Sequence, residues 1–119
     1  MEHRTHLLEI YEPDNFEGSN PLHVTGTGLL RGANGAFYYL IEFEKGSCLT
    51  IDGEEVCQLL LLPRYSEDPI KNVQESCCTV NVERVLPGAH LEPNTPFSYN
   101  DIEHWGVGKI HPNGNGSSA

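Results

Sequence analysis

Basic residues are scarce in this sequence. Lysine and arginine together number 7, against 17 aspartates and glutamates, and the formal net charge is −10. Proteins that bind nucleic acids or anionic membrane surfaces without specificity use clustered Lys and Arg side chains. The charge balance therefore argues against nucleic acid and against membranes as partners. It favours a protein partner with a basic surface, which a strongly acidic protein attracts over distance.

Long apolar segments are also missing. A membrane-spanning helix needs about 18 consecutive apolar residues, whereas residues 59–62 form a continuous apolar run of only four leucines. Residues 1–6 are largely polar and no apolar h-region follows them, which argues against a cleaved signal peptide. The expected compartment is therefore the cytoplasm, where thiols stay reduced.

Sequence motifs for nucleophilic catalysis, phosphate binding and metal binding are lacking as well. There is no G-x-S-x-G, and the G-x-G at Gly26 and Gly28 has Arg31 where a third glycine would be needed. The four cysteines form no C-x-x-C pair, and the adjacent Cys77 and Cys78 would point to opposite faces of a strand. The sequence therefore predicts no metal, no cofactor and no defined catalytic residue.

What the sequence does contain is alternation of apolar and polar residues in short segments separated by Gly, Pro and Asn. This pattern predicts an all-β fold of about six or seven antiparallel strands, closed as a small barrel or packed as a two-sheet sandwich. The single domain covers residues 1–112, and residues 113–119 form a flexible polar tail. The predicted strands are residues 5–12, 22–31, 36–44, 47–51, 54–62, 77–86 and 98–110.

One short helix is expected at residues 68–74. The segment Ser66-Glu-Asp-Pro69 has the chemistry of a helix start, with a capping side chain followed by proline in the first turn. The glycines at 106 and 108 predict a bulge or tight bend in the final strand.

A first hairpin is predicted around Asn34-Gly35, because this dipeptide supplies the positive φ angles of a type I′ turn. If these two residues are the whole loop, Gly28 faces Ile41. One face of the hairpin then carries its large apolar side chains and packs on the core. The residues expected on that face are Val24, Leu30, Phe37, Tyr39, Ile41 and Phe43.

A second hairpin is predicted around Asp52-Gly53. Its register places Cys48 opposite Cys57 at a non-hydrogen-bonded pair, where Cα atoms approach to about 4.5 Å. That separation lies within the range of a disulfide. We therefore expect the two sulfurs to be neighbours, and reduced if the protein is cytoplasmic.

Among the histidines, His104 has the densest polar and aromatic surroundings in sequence, with Asp101, Glu103 and Trp105 beside it. It could act as a metal ligand or as a general base oriented by one of the two carboxylates. The more ordinary interpretation is a surface residue next to a core tryptophan. A cysteine nucleophile at 77 or 78 would need a nearby histidine, for which the sequence gives no geometric support.

Three function classes remain open. The first is non-catalytic binding to a macromolecular partner, as an inhibitor, immunity-type or adaptor protein, with Arg64 as a possible anchor. The second is a small-molecule-binding β-barrel with a pocket lined by residues such as Tyr39, Phe43 or Trp105. The third is a metal-dependent or histidine-based enzyme centred on His104.

The carboxylates expected at strand edges and in turns are Glu42, Glu44, Glu54, Glu55, Glu67 and Asp68.

Overall fold

A computed structural model of the protein describes residues 4–12, 21–32, 35–43, 48–65 and 70–112. These residues form eight strands, one short α-helix and one 3-10 turn, and 63% of the structure is strand. The all-β prediction is confirmed. The elements in chain order are β1 (Arg4–Glu12), β2 (Leu22–Arg31), β3 (Phe37–Phe43), β4 (Leu49–Ile51), β5 (Glu54–Val56), β6 (Gln58–Pro63), α1 (Lys71–Glu75), β7 (Cys78–Val85), the 3-10 turn (Tyr99–Asp101) and β8 (Ile102–Pro112).

Six of the strands close into one antiparallel barrel in the order β1-β2-β3-β6-β7-β8. Strands β4 and β5 form a separate two-stranded hairpin. Closure joins β8 back to β1, which leaves the barrel without an unpaired edge. Of the two predicted architectures, the structure is the barrel.

The inside of the barrel is filled by side chains, because alternate residues of each strand point inward. The β4–β5 hairpin and the buried Val73 of α1 pack against the same core. The strand residues that form this packed centre, each at most 3% exposed, include Leu8, Ile10, Tyr39, Ile41, Leu59, Leu61, Val80, Val82 and Ile110.

Part of the outer surface is apolar too, and the loop of residues 86–101 covers it. Outward-facing Leu30, Leu40 and Leu60 pack with Leu91 of that loop. Gln58 holds the loop in place: its Nε2 donates to the carbonyl of Leu91, and its Oε1 accepts from the Leu91 N–H, both at 2.9 Å. We call this outer surface of β2, β3 and β6 the covered wall. The run at residues 59–62 is thus buried on both faces at its centre.

The register predicted for the first hairpin is wrong. The structure pairs Gly28 with Leu40 rather than with Ile41, which instead faces Gly26. The loop is longer than two residues, since the Gly32 N–H donates to the carbonyl of Ala36 at 2.8 Å. A bulge between Gly26 and Gly28 then shifts the pairing a second time.

This shift changes which side chains share a face. Leu30 pairs with Tyr38 and lies on the covered wall, not beside Tyr39 in the barrel interior. Val24 and Phe43 do share the core face as predicted, because the bulge restores the expected parity. Phe37, expected in the core, is 44% exposed at the end of β3.

The second hairpin follows its prediction in register but not in redox state. Asp52 and Gly53 have φ angles of 53° and 79°, the positive values of a type I′ turn. Cys48 and Cys57 are 4.6 Å apart at Cα and are joined by a disulfide. The expectation of free thiols is therefore contradicted, because the pairing brings the two sulfurs into bonding position.

Three element boundaries differ from the sequence expectation. The segment 54–62 is interrupted at Cys57, which separates the hairpin strand β5 from the barrel strand β6. The final strand begins only at Ile102, because Ser98 Oγ accepts from the Asn100 N–H and starts a 3-10 turn. The helix is Lys71–Glu75, and residues 66–69, which carry its predicted start, lie outside the described residues.

The bulge predicted in the last strand is present. The pairing of β7 with β8 shifts between Val82, which faces Gly106, and Glu83, which faces His104. Trp105 is half-buried against the barrel core rather than fully inside it. The predicted tail, residues 113–119, lies outside the described residues.

Candidate functional site

The densest charged cluster among the described residues surrounds Arg84, at the barrel end where β7 finishes and β8 begins. Register places Arg84 opposite Glu103, whose Oε1 accepts from Arg84 Nη2 at 2.7 Å and from Nε at 3.0 Å. The β4–β5 hairpin adds Glu54 and Asp52, with carboxylate oxygens 3.8 Å and 3.9 Å from Arg84 Nη1. The guanidinium is thus held among three carboxylates.

Exposure is uneven within this cluster. The Arg84 side chain is only 11% exposed, whereas the side chains of Asp52, Glu54 and Glu103 are 83%, 49% and 58% exposed. The positive charge therefore lies beneath the negative ones. A molecule that approaches this end of the barrel meets carboxylate oxygens first.

His104 lies beside this cluster and pairs with Glu83, not with Asp101 or Glu103. Its Nδ1 is 3.0 Å from Glu83 Oε2, and the ladder pairs the two residues directly. Successive strand residues point to opposite sides of a sheet. The Glu83–His104 pair and the Arg84–Glu103 pair therefore lie on opposite faces of the sheet, at the same end of the barrel. We call the group of Asp52, Glu54, Glu83, Arg84, Glu103 and His104 the acidic rim.

The sequence hypothesis of a metal or acid–base centre at His104 gains no convergent ligand set here. Among the described residues, the group of three potential ligands that lies within 4.8 Å is Cys48, Glu55 and Cys57. Its two sulfurs are bonded to each other, and a disulfide offers no thiolate to a metal.

A cleft of about 610 Å³ lies between the tip of the β2–β3 hairpin and the loop of residues 93–97. Its walls include Leu29, Phe37 and Phe97, with Arg31 at one side. The Arg31 guanidinium carbon is 5.6 Å from the centre of the Phe37 ring, in cation–π range. The cleft is thus apolar with one fixed positive group.

The residues proposed from sequence to line a pocket do not line this cleft. Tyr39 and Phe43 are 2% and 9% exposed within the core, and Trp105 packs against that core. Arg64 does border a neighbouring groove of about 510 Å³, together with exposed Tyr65. Its Nη1 donates to Asn81 Oδ1 at 3.5 Å.

The remaining carboxylates named from sequence are dispersed. Glu42 accepts a hydrogen bond from Gln58 Nε2 at 2.9 Å, and Gln58 is the residue that holds the covering loop. Glu55 lies beside the disulfide on the hairpin. Glu44, Glu67 and Asp68 lie outside the described residues.

A polar pair is buried inside the barrel. His6 Nε2 lies 2.8 Å from the Tyr39 hydroxyl, and the two rings meet edge to face. Burial lowers the pKa of His6 and raises the pKa of Tyr39 to about 12, because it disfavours the charged form of each. Gly26 makes room for the tyrosine, since a Cβ there would overlap its hydroxyl.

The outer surface of β1, β8 and β7 carries a further cluster that the sequence did not predict as a unit. Cys77 Sγ is 3.2 Å from His111 Nδ1, and His111 Nε2 is 3.4 Å from Glu9 Oε1. The cross-strand register of β7 and β8 is the signal that could have revealed this cluster. Cys78 pairs with Ile110, so the preceding residue lies opposite His111.

Compared with known protein families, with curated proteins and with solved structures, this chain has no match. Within the described residues, no helix is both long enough and apolar enough to cross a membrane.

Proposed function

We propose that this protein binds a basic macromolecular partner through the acidic rim, without catalysis. The observation that carries the proposal is the arrangement at Arg84: one nearly buried guanidinium beneath three exposed carboxylates. With Glu83 included, the rim holds four carboxylates, one arginine and one histidine. A surface of this kind attracts and orients a positively charged partner.

The backbone that carries the rim carboxylates is well anchored, and the Glu103 side chain is held by hydrogen bonds. Glu103 and Arg84 share two hydrogen bonds from neighbouring strands, and the hairpin that carries Asp52 and Glu54 is anchored by buried Leu49, Ile51 and Val56. Carboxylates held in place lose little side-chain entropy when a partner binds. An inhibitor, immunity-type or adaptor role fits such a surface.

The test compares two variants with the same change in net charge. One carries Asp52→Asn, Glu54→Gln and Glu103→Gln in the rim, and the other carries Glu12→Gln, Glu75→Gln and Glu92→Gln at exposed positions elsewhere. Each variant and the unchanged chain are immobilised. The proteins that each of the three captures are then identified at low and at high salt.

The proposal predicts a partner that the unchanged chain and the control variant retain at low salt and that the rim variant loses. High salt should release it, because exposed charge pairs are screened. Equal capture by all three proteins, or a partner unaffected by salt, would refute the proposal.

A cytoplasmic location belongs to this proposal. Disulfides are rare in that compartment and the structure joins Cys48 to Cys57, so the redox state of this pair in the cell tests this part of the proposal. Rapid alkylation of cells expressing the protein, followed by mass spectrometry of both residues, decides between the two states.

The cleft beside Arg31 supports a second candidate function, the binding of a small molecule with an apolar body and an anionic group. Its volume of about 610 Å³ is in the size range of small-molecule sites. Titration with decanoate, followed by NMR, should shift signals of Leu29 and Phe97. Arg31→Gln should weaken this effect, whereas Arg64→Gln in the neighbouring groove should leave it unchanged. Shifts that spread over the whole chain would argue against a site here.

A further inference from the structure

Cys77, which directly precedes β7, forms a continuous line of polar contacts with His111 of β8 and Glu9 of β1. The thiol sulfur lies 3.2 Å from one ring nitrogen of the histidine, and the other ring nitrogen lies 3.4 Å from the carboxylate. Register explains the line: His111 stands directly opposite the residue before Cys78, and Glu9 is on the next strand, paired with Lys109. Three sequence-distant residues therefore meet because the barrel closes.

The fold does not need a thiol at this position. Cys77 is exposed, whereas its neighbour Cys78 is buried at 5% exposure and packs in the barrel core. The side chains of His111 and Glu9 are 32% and 46% exposed, so the line is open to solvent along its length. A cysteine retained for packing would occupy the inward position, as Cys78 does.

The order of groups is that of an activated nucleophile. A thiol within hydrogen-bond reach of a base, with the base oriented by a third group, defines the arrangement used in covalent catalysis. Here Cys77 holds the thiol, His111 is positioned to take its proton at Nδ1, and Glu9 orients the ring through Nε2. We infer that Cys77 is a nucleophilic thiol that undergoes exchange with small disulfides, with His111 as its base.

A disulfide suits this site better than an acyl substrate does. Exchange needs a thiolate, access and a proton acceptor, and it forms no oxyanion that must be stabilised. The proton moves from Cys77 Sγ to His111 Nδ1 while the sulfur attacks one sulfur of R–S–S–R. The S–S bond of the small disulfide breaks, Cys77–S–S–R forms, and the departing RS⁻ takes the proton from His111.

The product is expected to persist as a mixed disulfide. Cys78 points into the core and is poorly placed to displace the adduct, because adjacent strand residues face opposite ways. Cys48 and Cys57 are already bonded to each other. The site is thus a reversible modification site, and a thiol reductant returns it to the starting state.

The experiment follows reaction of the full chain, with its Cys48–Cys57 bond intact, with oxidised glutathione at pH 7. Intact-mass spectrometry measures the rate of adduct formation, and peptide mapping assigns the site. The unchanged chain should gain one adduct at Cys77. Cys77→Ser should gain none, and Cys78→Ser, the matched control, should react like the unchanged chain.

The role of His111 is read from the rate. His111→Gln should slow the reaction at least about tenfold, since a positioned base contributes about 10²–10⁴-fold in such steps. Added imidazole should restore part of the rate in His111→Gly and none in Cys77→Ser. Far-UV circular dichroism confirms that each variant is folded.

The positioning role of Glu9 is read from a double-variant comparison. Glu9→Gln should slow adduct formation when His111 is present and have no effect in the His111→Gln background. A purely structural role would slow both. Adduct formation at another cysteine, or an unchanged rate in His111→Gln, would overturn the inference.

Discussion

The two sides of the barrel wall differ in whether their outward-facing side chains are covered or left exposed to solvent. On the covered wall, Leu30, Leu40 and Leu60 point outward and the loop of residues 86–101 buries them. On the outer surface of β1, β8 and β7, which we call the open wall, the outward residues include Glu9 and His111. Charged and polar side chains can be left to water, whereas leaving apolar ones exposed costs free energy.

The comparison shows where chemistry is possible in this molecule. The apolar outward residues of one wall require a covering segment, so that wall contributes to stability. The open wall and the acidic rim keep their polar groups accessible, and the proposed partner-binding surface and the proposed thiol site lie there. If this division holds, substitutions on the covered wall have the largest effect on stability.

The largest loss of stability is expected for Leu60→Ala. Leu60 is fully buried between the barrel and the covering loop. Removing its side chain leaves a cavity and should lower the free energy of unfolding by about 2–5 kcal/mol. Urea unfolding measures the change.

The matched variant on the open wall is Leu7→Ala, whose side chain is half-buried on β1. It should cost about 1 kcal/mol, since less apolar surface returns to water. Equal losses at the two positions would mean that the covering loop adds no burial and would contradict the division.

A smaller but more local effect is expected for Gln58→Ala. The substitution leaves the Leu91 N–H and carbonyl without the side chain that now satisfies both. Unpaired buried groups cost about 1–3 kcal/mol. Hydrogen exchange should show the Leu91 amide losing protection ahead of the barrel strands.

Gln74→Ala is the control, because Gln74 is only half-buried and lies on α1, outside the contact between Gln58 and Leu91. It should change stability by no more than about 0.5 kcal/mol. If Gln58→Ala reduced protection evenly through β1, β3 and β7, the loop would not be a separate covering element.

Much of the fold could be predicted because its signals are local. The Asp52-Gly53 turn fixed the register of the second hairpin, and the alternation of apolar and polar residues located strand β1. The first hairpin failed because its loop closes between Gly32 and Ala36. A two-residue turn motif does not reveal a longer loop or a bulge within the strand.

The candidate sites were harder to predict, because each depends on pairing between distant strands. Nothing local brings Cys77 to His111 or His111 to Glu9; the closure of β8 on β1 does so. Likewise, the proximity of Asp101 and Glu103 in sequence suggested a partner for His104, but the ladder supplies Glu83. Sequence neighbours on a strand point to opposite faces, so cross-strand register decides contacts.

The buried His6 allows a pH test of the barrel interior. Burial lowers its pKa in the folded state, so near pH 6.5 and below the unfolded chain binds the proton more readily. Its contribution to stability is therefore complete above that pH and is lost progressively as the pH falls towards the lowered folded-state value. Urea unfolding between pH 7.5 and 5 should show this loss in the unchanged chain and less of it in His6→Gln.

His23→Gln is the control for this measurement, since His23 is exposed on β2. It should keep the pH dependence of the unchanged chain. If both variants lost it equally, the dependence would not come from the barrel interior.

The smallest effect is expected at the acidic rim, for Glu103→Gln. Glu103 is 58% exposed, and exposed ion pairs contribute about 0–1 kcal/mol. Arg84 keeps Asp52 and Glu54 nearby, so its charge is not left alone. Unfolding in low salt and in 0.5 M salt should differ little between the variant and the unchanged chain, and the small difference should shrink with salt. A loss above about 2 kcal/mol would instead mark Arg84 as a buried structural pair. The rim would then be a stabilising element of the barrel end, and its carboxylates would be committed to the fold rather than available to a partner.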